Sequence, residues 1–380
     1  MLPEVQAAGT TLTGRKAEEQ HMTNRVFNFN PGPAVLPLAV LENVRENLLD
    51  FSGTGMGIME VSHRSKEFQK IIDETTADLK ELLSIGDQYE VLYTTGGATN
   101  QFSMVPMNLL PPGQTANYII TGSWAQNAYK EAQKFGKTHA AGSSKDKNFS
   151  YIPKSCDITA DCAYCHFTSN NTIFGTQFSS EPDAGEALLV CDASSDFLHK
   201  KIDVSKYGLI YAGAQKNLGP AGVTLVVIRR DLLERCPASL PLMMNYRTYS
   251  ESQSLHNTPP VFAIYVVHEV LRWLKGLGGL AAIERQNRRK AEVLYKAIDG
   301  SSLYYGHAEA DARSLMNVTF RLKNESLEGV FVKEAEAAGL VGLKGHRSVG
   351  GLRASIYNAF PPEGVDALVS FMQEFERTRG

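Results

Sequence analysis

Apolar residues along this chain alternate between two spacings. Residues 38–50 carry them at helical intervals, and residues 65–83 do so again, with Phe68, Ile71, Ile72, Leu79 and Leu82 on one stripe. Short apolar runs bounded by Gly, Asn or Ser follow: EVLYTTGG, ANYIITGS, CAYCHFTSN, ALLVCDASS, GLIYAGAQK and VTLVVIRR. Their length and bounding residues predict buried strands. Helices are expected at 99–108 and 124–135, while the polar stretch 140–160 reads as loop. Strand alternating with helix is the mark of a mostly parallel sheet covered on both faces.

Beyond Pro259-Pro260 the pattern changes. The long helix VFAIYVVHEVLRWLKGL reads as the bridge between two domains, ended by Gly276, Gly278 and Gly279. A helix over 281–298 then leads into LMNVTFRL (strand), VFVKEAEAAGL (helix), GLRASIYNAF (strand) and VDALVSFMQEFERTRG (helix), a compact α+β unit. The organisation expected is an arm over 1–24, a large α/β domain over 25–275 and a small carboxy-terminal domain over 276–380. The arm, MLPEVQAAGTTLTGRKAEEQHMTN, is polar, aperiodic and without an apolar core segment. It reads as a disordered tail or cloning remnant and not as a secretory signal.

Composition narrows the function classes. Of 380 residues, 43% are hydrophobic and 21% charged, with a net charge of −3, as in a soluble globular protein. No basic tract points to nucleic acid, and no apolar run is long enough to cross a bilayer. Five cysteines are too few and too odd in number for a secreted disulfide framework, which points to a reducing, cytoplasmic setting.

Two motifs suggest chemistry and lose it on context. GTGMGIME (53–60) has the glycines of a dinucleotide loop, but a helix precedes it where a strand is required. CAYCH (162–166) matches c-type haem attachment, yet nothing signals export. A zinc site from Cys156, Cys162, Cys165 and His166 needs Cys165 and His166 on one side. On a strand, adjacent side chains point to opposite faces. Both are read as structural, and no metal is expected.

The strand ends carry more. EVLYTTGGATNQF runs from a strand through two glycines to Ala98 and Thr99 at a helix start, where free N–H groups and the helix dipole suit a phosphate. LLVCDASS sets Asp192 at the carboxyl end of a buried strand, and Lys216 follows the next one, 24 residues on. Ligands of open α/β sheets bind at those ends. Phosphate cradle, acid and lysine together suit pyridoxal phosphate (PLP), which needs an amine for its aldehyde, an acid at its ring nitrogen and a phosphate cup. Trp124, after ITGS, would stack on the ring.

Over residues 27–380 the sequence resembles the phosphoserine aminotransferases, fold-type-I PLP enzymes. The matching stretches are NFNPGPAVLP, MEVSHRSKEF, YTTGGATNQF, GSWA, NNTIFG, DASS, YGLIYAGAQKNLGPAG, NTPP and LKGHRSVGGLRASIYNA. The resemblance implies that Lys216 carries the cofactor as a Schiff base and moves the proton, that Asp192 pairs with the pyridine nitrogen and that Trp124 stacks. It gives Ala98, Thr99 and Gln215 to the phosphate and Thr172 to the ring hydroxyl. Asn257 and Thr258 would reach the phosphate from the second subunit of a homodimer that shares its active sites. Arg353 would hold the substrate α-carboxylate. His63, Arg64, His346 and Arg347 would take the phosphate of phosphoserine or the distal carboxylate of glutamate. The implied reaction is ping-pong transfer between glutamate and 3-phosphohydroxypyruvate, giving 2-oxoglutarate and phosphoserine, for serine synthesis, with pyridoxine synthesis as a side route. Asn171 departs from the family, which often has an acid before this Thr-Ile pair. The alternatives carried are another PLP transaminase or lyase with an acidic substrate, and a c-type haem electron carrier. A cysteine desulfurase is disfavoured, since no cysteine stands in an obvious active-site loop.

Overall fold

The computed structural model describes residues 25–380; the expectation for the amino-terminal arm lies outside the described residues. A short strand β1 (Phe27–Asn28) precedes helices α1 (Leu38–Glu46) and α2 (Lys66–Leu83). Ser65 starts α2 by accepting the Phe68 N–H at 3.2 Å. The stripe read from the sequence is the face that α2 buries, with Thr75 and Leu83 added and Leu82 left at its edge.

The central sheet has seven strands: β2 (Tyr89–Thr94), β3 (Thr115–Ile120), β4 (Lys137–Ser143), β5 (Cys162–Thr168), β6 (Leu189–Asp192), β7 (Tyr207–Gly213) and β8 (Thr224–Arg229). Their order is β2-β8-β7-β6-β5-β3-β4, and only β8 runs antiparallel to its neighbours. Helices α3 (Gly97–Leu109) and α4 (Ser123–Ala132) pack on the face that carries Tyr118, Tyr164, Val190 and Tyr211. Helix α7 (Val261–Gly276), with α2, covers the other face, against Cys165, Phe167, Cys191 and Ile210. The short helices α5 (Arg230–Leu233) and α6 (Tyr246–Glu251) lie between β8 and α7 in sequence.

Two expectations differ from the structure. Part of the polar stretch read as loop is β4, an edge strand paired parallel to β3. KTHAAGS has no β-branched run and only one fully buried side chain, so its pairing is invisible to periodicity. The connection to the carboxy-terminal unit is made by α8 (Gly279–Asp299), not α7. Leu280 and Ile283 of α8 sit in the large apolar core and Ala291, Leu294 and Ile298 in the carboxy-terminal one, whereas α7 is buried wholly in the former.

The carboxy-terminal unit holds β9 (Tyr304–Gly306), β10 (Asn317–Leu322), α9 (Glu328–Ala337), β11 (Leu340–Val341), β12 (Leu352–Ser355) and α10 (Pro362–Arg379). Its antiparallel sheet runs β12-β10-β9, and β1 pairs with β11, so Phe29 joins this core. The two units meet across buried polar groups. Asn170 donates to Ser195 Oγ and Asn317 Oδ1, both at 2.8 Å. Asn317 reaches the Tyr357 hydroxyl at 3.1 Å, and that hydroxyl donates to the Pro31 carbonyl at 2.7 Å. Such a chain is stable when buried only if each member is satisfied, which holds the units in one arrangement.

Candidate active site

Five parallel strands deliver their carboxyl ends to one edge of the sheet. After β2 comes the start of α3, after β3 the Thr121–Trp124 turn, after β5 the Asn170–Gly175 turn, at the end of β6 Asp192, and after β7 Lys216. Because β8 is reversed, the chain turns back directly after Lys216 through a glycine-proline loop. This places the lysine between Asp192 and the carboxy-terminal unit.

Lys216 Nζ donates to Thr172 Oγ1 at 2.8 Å and lies 5.7 Å from the centre of the Trp124 ring. Burial lowers its proton affinity to about 8; Asp192 opposes the shift and Arg353 adds to it. Loss of hydration therefore outweighs the attraction of the nearby carboxylate, and a substantial fraction of the amine is unprotonated just above neutral pH. Asp192 is buried, and burial raises its carboxyl; Lys216 and the Ser194 N–H, which donates to Oδ1 at 3.0 Å, counter this.

Helix α3 starts at Gly96, whose φ of +87° suits glycine, and no side chain caps its first turn. Ala98 and Thr99 thus offer free N–H groups, with the positive end of the helix dipole, after β2, while Gln215 follows β7, the next strand but one in the sheet order. Gln215 is held through its carbonyl, which accepts the Ala34 N–H at 2.9 Å.

Arg353, on β12, is buried at 6% exposure. Its Nη1 donates to the Thr172 carbonyl at 3.0 Å, while Nε has no hydrogen-bond partner among the described residues. A buried guanidinium with an unused donor suits a carboxylate. His346 sits in the loop before β12. Burial lowers its proton affinity first, then Arg353 and Arg347, so it lies within their field. Its Nδ1 is 2.7 Å from Ser348 Oγ.

The structure thus brings together Lys216, Thr172, Asp192, Trp124 and Arg353, with His346 and Arg347 on an adjoining loop. It does not connect the rest to them by any hydrogen bond. His63 accepts from Arg64 at 3.3 Å, in the turn before α2. Arg64, Asn257, Thr258 and Arg347 are exposed. The GTGMGIME glycines lie at the end of a single 3-10 turn and in the bend after it, not at a strand–helix junction. In CAYCH, Cys165 enters one apolar core, while His166 Nε2 meets the Tyr211 hydroxyl at 2.9 Å from the other face. Burial pushes His166 down to about 3, so it stays neutral.

Sequence reasoning missed the amides that hold these parts. Asn217, beside the lysine, donates to the Phe197 carbonyl at 2.7 Å and accepts the Asn358 N–H at 2.9 Å, linking Lys216 to the turn after Arg353's strand. The available signal was that Asn217 and Asn358 fall inside the specific stretches AGAQKN and SIYNA.

The donor set fits PLP: a partly neutral amine, a buried acid at a strand end, an indole face, a hydroxyl beside the amine and an uncapped helix start. A model of the family "Aminotransferase class-V" matches residues 26–368. The phosphoserine aminotransferase of Desulfatibacillum aliphaticivorans is 56% identical over 361 residues, 94% of this chain and 100% of its own. That of Geobacillus kaustophilus is 55% identical over 356 residues, 93% of this chain and 99% of its own. Among solved structures, the phosphoserine aminotransferase from Bacillus circulans subsp. alkalophilus matches with a TM-score of 0.92 and 52% identity, over 94% of this chain and 99% of that one. The PLP-bound phosphoserine aminotransferase from Trichomonas vaginalis matches with a TM-score of 0.88 and 36% identity, over 92% of this chain and all of that one. With the lysine, acid and aromatic ring in place and these matches spanning nearly its whole length, the chain belongs to the class-V aminotransferase family, among the phosphoserine aminotransferases, and is a PLP-dependent transaminase.

Proposed function

We propose that the enzyme transfers the amino group between phosphoserine and 2-oxoglutarate, interconverting them with 3-phosphohydroxypyruvate and glutamate in two half-reactions at one site. The observation that carries this reading is the buried Arg353, with its unused Nε, close enough to Lys216 to lower that amine's proton affinity. A carboxylate bound there would put an amino acid's α-carbon near the lysine.

Bound PLP supplies a ring that withdraws electrons from the substrate α-carbon. Lys216 would hold the aldehyde through its amine and afterwards take and return the proton at that carbon. Thr172 would keep the amine aimed and meet the ring hydroxyl. Asp192 would hold a proton on the ring nitrogen, and Trp124 would cover one ring face. Ala98, Thr99 and Gln215 would bind the phosphate, joined by Asn257 and Thr258 of a second copy of the chain in a homodimer. His346 and Arg347, with His63 and Arg64, would receive the substrate's distal phosphate or carboxylate. One basic cluster serves both substrates because Arg pairs equally with phosphate and carboxylate. Division into a large domain over 25–275 and a small one over 276–380, a cytoplasmic location, and a place in serine synthesis (with pyridoxine synthesis as a side route) complete the proposal.

The test is a transaminase assay with PLP that compares phosphoserine, aspartate and alanine as amino donors to 2-oxoglutarate. A strong preference for phosphoserine is expected; equal rates with all three would sink the substrate assignment. Borohydride reduction and peptide mapping should place a phosphopyridoxyl group on Lys216.

A further inference from the structure

Asn171 precedes Thr172 and is 1% exposed. Its amide works in both directions. Nδ2 donates to the Thr121 carbonyl at 2.6 Å, and Oδ1 accepts the N–H groups of Ile173 and Phe174 at 3.1 and 3.2 Å. The backbone of Asn171 is tied as well: its N–H donates to the Thr176 carbonyl at 2.7 Å, and its carbonyl accepts the Gly175 N–H at 2.9 Å. The first contact belongs to the turn that starts α4 and carries Trp124. The others fold the turn that carries Thr172.

The opposite side of the contact is shaped to match. Gly122 follows Thr121, and a Cβ built there would collide with Asn171 Nδ2. Its φ of 164° is ordinary extended backbone, so glycine serves space here, not conformation. The two turns come from β3 and β5, adjacent strands whose ends bring a ring-stacking indole and a hydroxyl to the same amine.

We infer that Asn171 is a positioning residue that couples Trp124 to Thr172, and that in this chain, which departs here from relatives with an acid, the link is built for an amide. The inference rests on the PLP assignment and not on the substrate. A carboxylate there keeps the two acceptor contacts but faces the Thr121 carbonyl with a lone pair in a dry setting. Burial beside the Thr121 carbonyl raises such a carboxyl from its usual value of about 4 toward neutral pH, and the neutral acid formed at the lower pH restores the link, because its O–H donates to Thr121 while the other oxygen still accepts. Asn171→Asp therefore carries a pH signature that a simple packing defect lacks.

The experiment measures PLP release from the holoenzyme after dilution, followed by the loss of its visible absorbance, at pH 8 and pH 6. Each rate is taken relative to unaltered enzyme at the same pH. Asn171→Asp should release roughly tenfold faster at pH 8, the scale of one lost buried hydrogen bond, and recover most of that at pH 6. Asn171→Ala should be defective to the same extent at both. Release at the unaltered rate by Asn171→Asp at pH 8 overturns the inference, and so does a defect that ignores pH. If Asn171→Asp fails to fold, Gly122→Ala, whose methyl displaces the amide from the other side, decides. Faster release than unaltered enzyme supports the coupling, and an unchanged rate overturns it. Failure of the unaltered protein to bind PLP would instead strike at the cofactor assignment.

Discussion

Lys216 and Arg347 are both proposed to serve one site and are held very differently. Lys216 is bonded to Thr172, faces Trp124, feels Asp192 and Arg353, and has a neighbour, Asn217, that is itself tied on two sides. Arg347 is exposed, on a loop closed by the Gly345 N–H to the Gly351 carbonyl at 2.8 Å. The cofactor end is set by strand ends whose register leaves little freedom. The proposed substrate end is set by loops and long side chains, which suits the proposed pair of different acids. Arg353 belongs to the first kind by burial and to the second by its proposed ligand.

This contrast is breakable. The largest effect should come from Lys216→Ala, which removes both the proposed anchor and the proposed proton carrier. Transfer should fall by at least roughly 10²- to 10⁴-fold, the usual range for a lost acid–base group, and the borohydride adduct should vanish from the 216 peptide. If this variant turns over normally, the lysine end is not where the chemistry is.

Arg353→Ala should come next. Loss of a charge-assisted contact worth about 1.5–3 kcal/mol predicts a rise of about 10- to 150-fold in KM for glutamate. An unchanged KM would remove the carboxylate role. Arg347→Ala should cost less, about 2- to 5-fold in kcat/KM for phosphoserine, because exposed charges are screened and their pairs are worth up to about 1 kcal/mol. The same variant should leave alanine turnover nearly unaltered. A loss as large as that of Arg353→Ala would contradict the division between a rigid and an adaptable end.

The smallest effect is a displacement in pH. In cofactor-free protein, Lys216 is protonated below its value of about 8 and neutral above it, so PLP capture should quicken as pH rises from 7 to 9. Arg353 contributes to the lowering, so Arg353→Ala should slide that profile to higher pH. A profile that stays in place would mean that burial alone sets the amine.

Much of this was legible in advance. The apolar stripe of α2, the strands ending in TTGG, TGS, DASS and AGAQK, and the order of helix and strand all follow from short-range pattern. The GTGMGIME and CAYCH segments read as structural from their neighbours alone, and the structure puts Cys165 and His166 on opposite faces of β5. Strand β4 was not legible, because KTHAAGS has a single buried side chain and so no continuous apolar face. The bridge was misplaced because α7 and α8 are both long, and only packing shows which one enters both cores. The pairing of β1 with β11, more than 300 residues apart, leaves no local trace.

By itself the sequence determined the parts list: which residues could supply an amine, an acid, an indole and a guanidinium, and that the strands would end where those residues stand. Helix and strand periods, turn residues and side-chain chemistry are local properties, so a chain states them without folding. Only the tertiary structure decided which groups meet. It lowered Lys216 by burial, left Arg353 with an unused donor, and made the Asn171 amide the link between two turns. Those are properties of distances between segments far apart in the chain, and dehydration and hydrogen-bond geometry arise only once the segments close on one another.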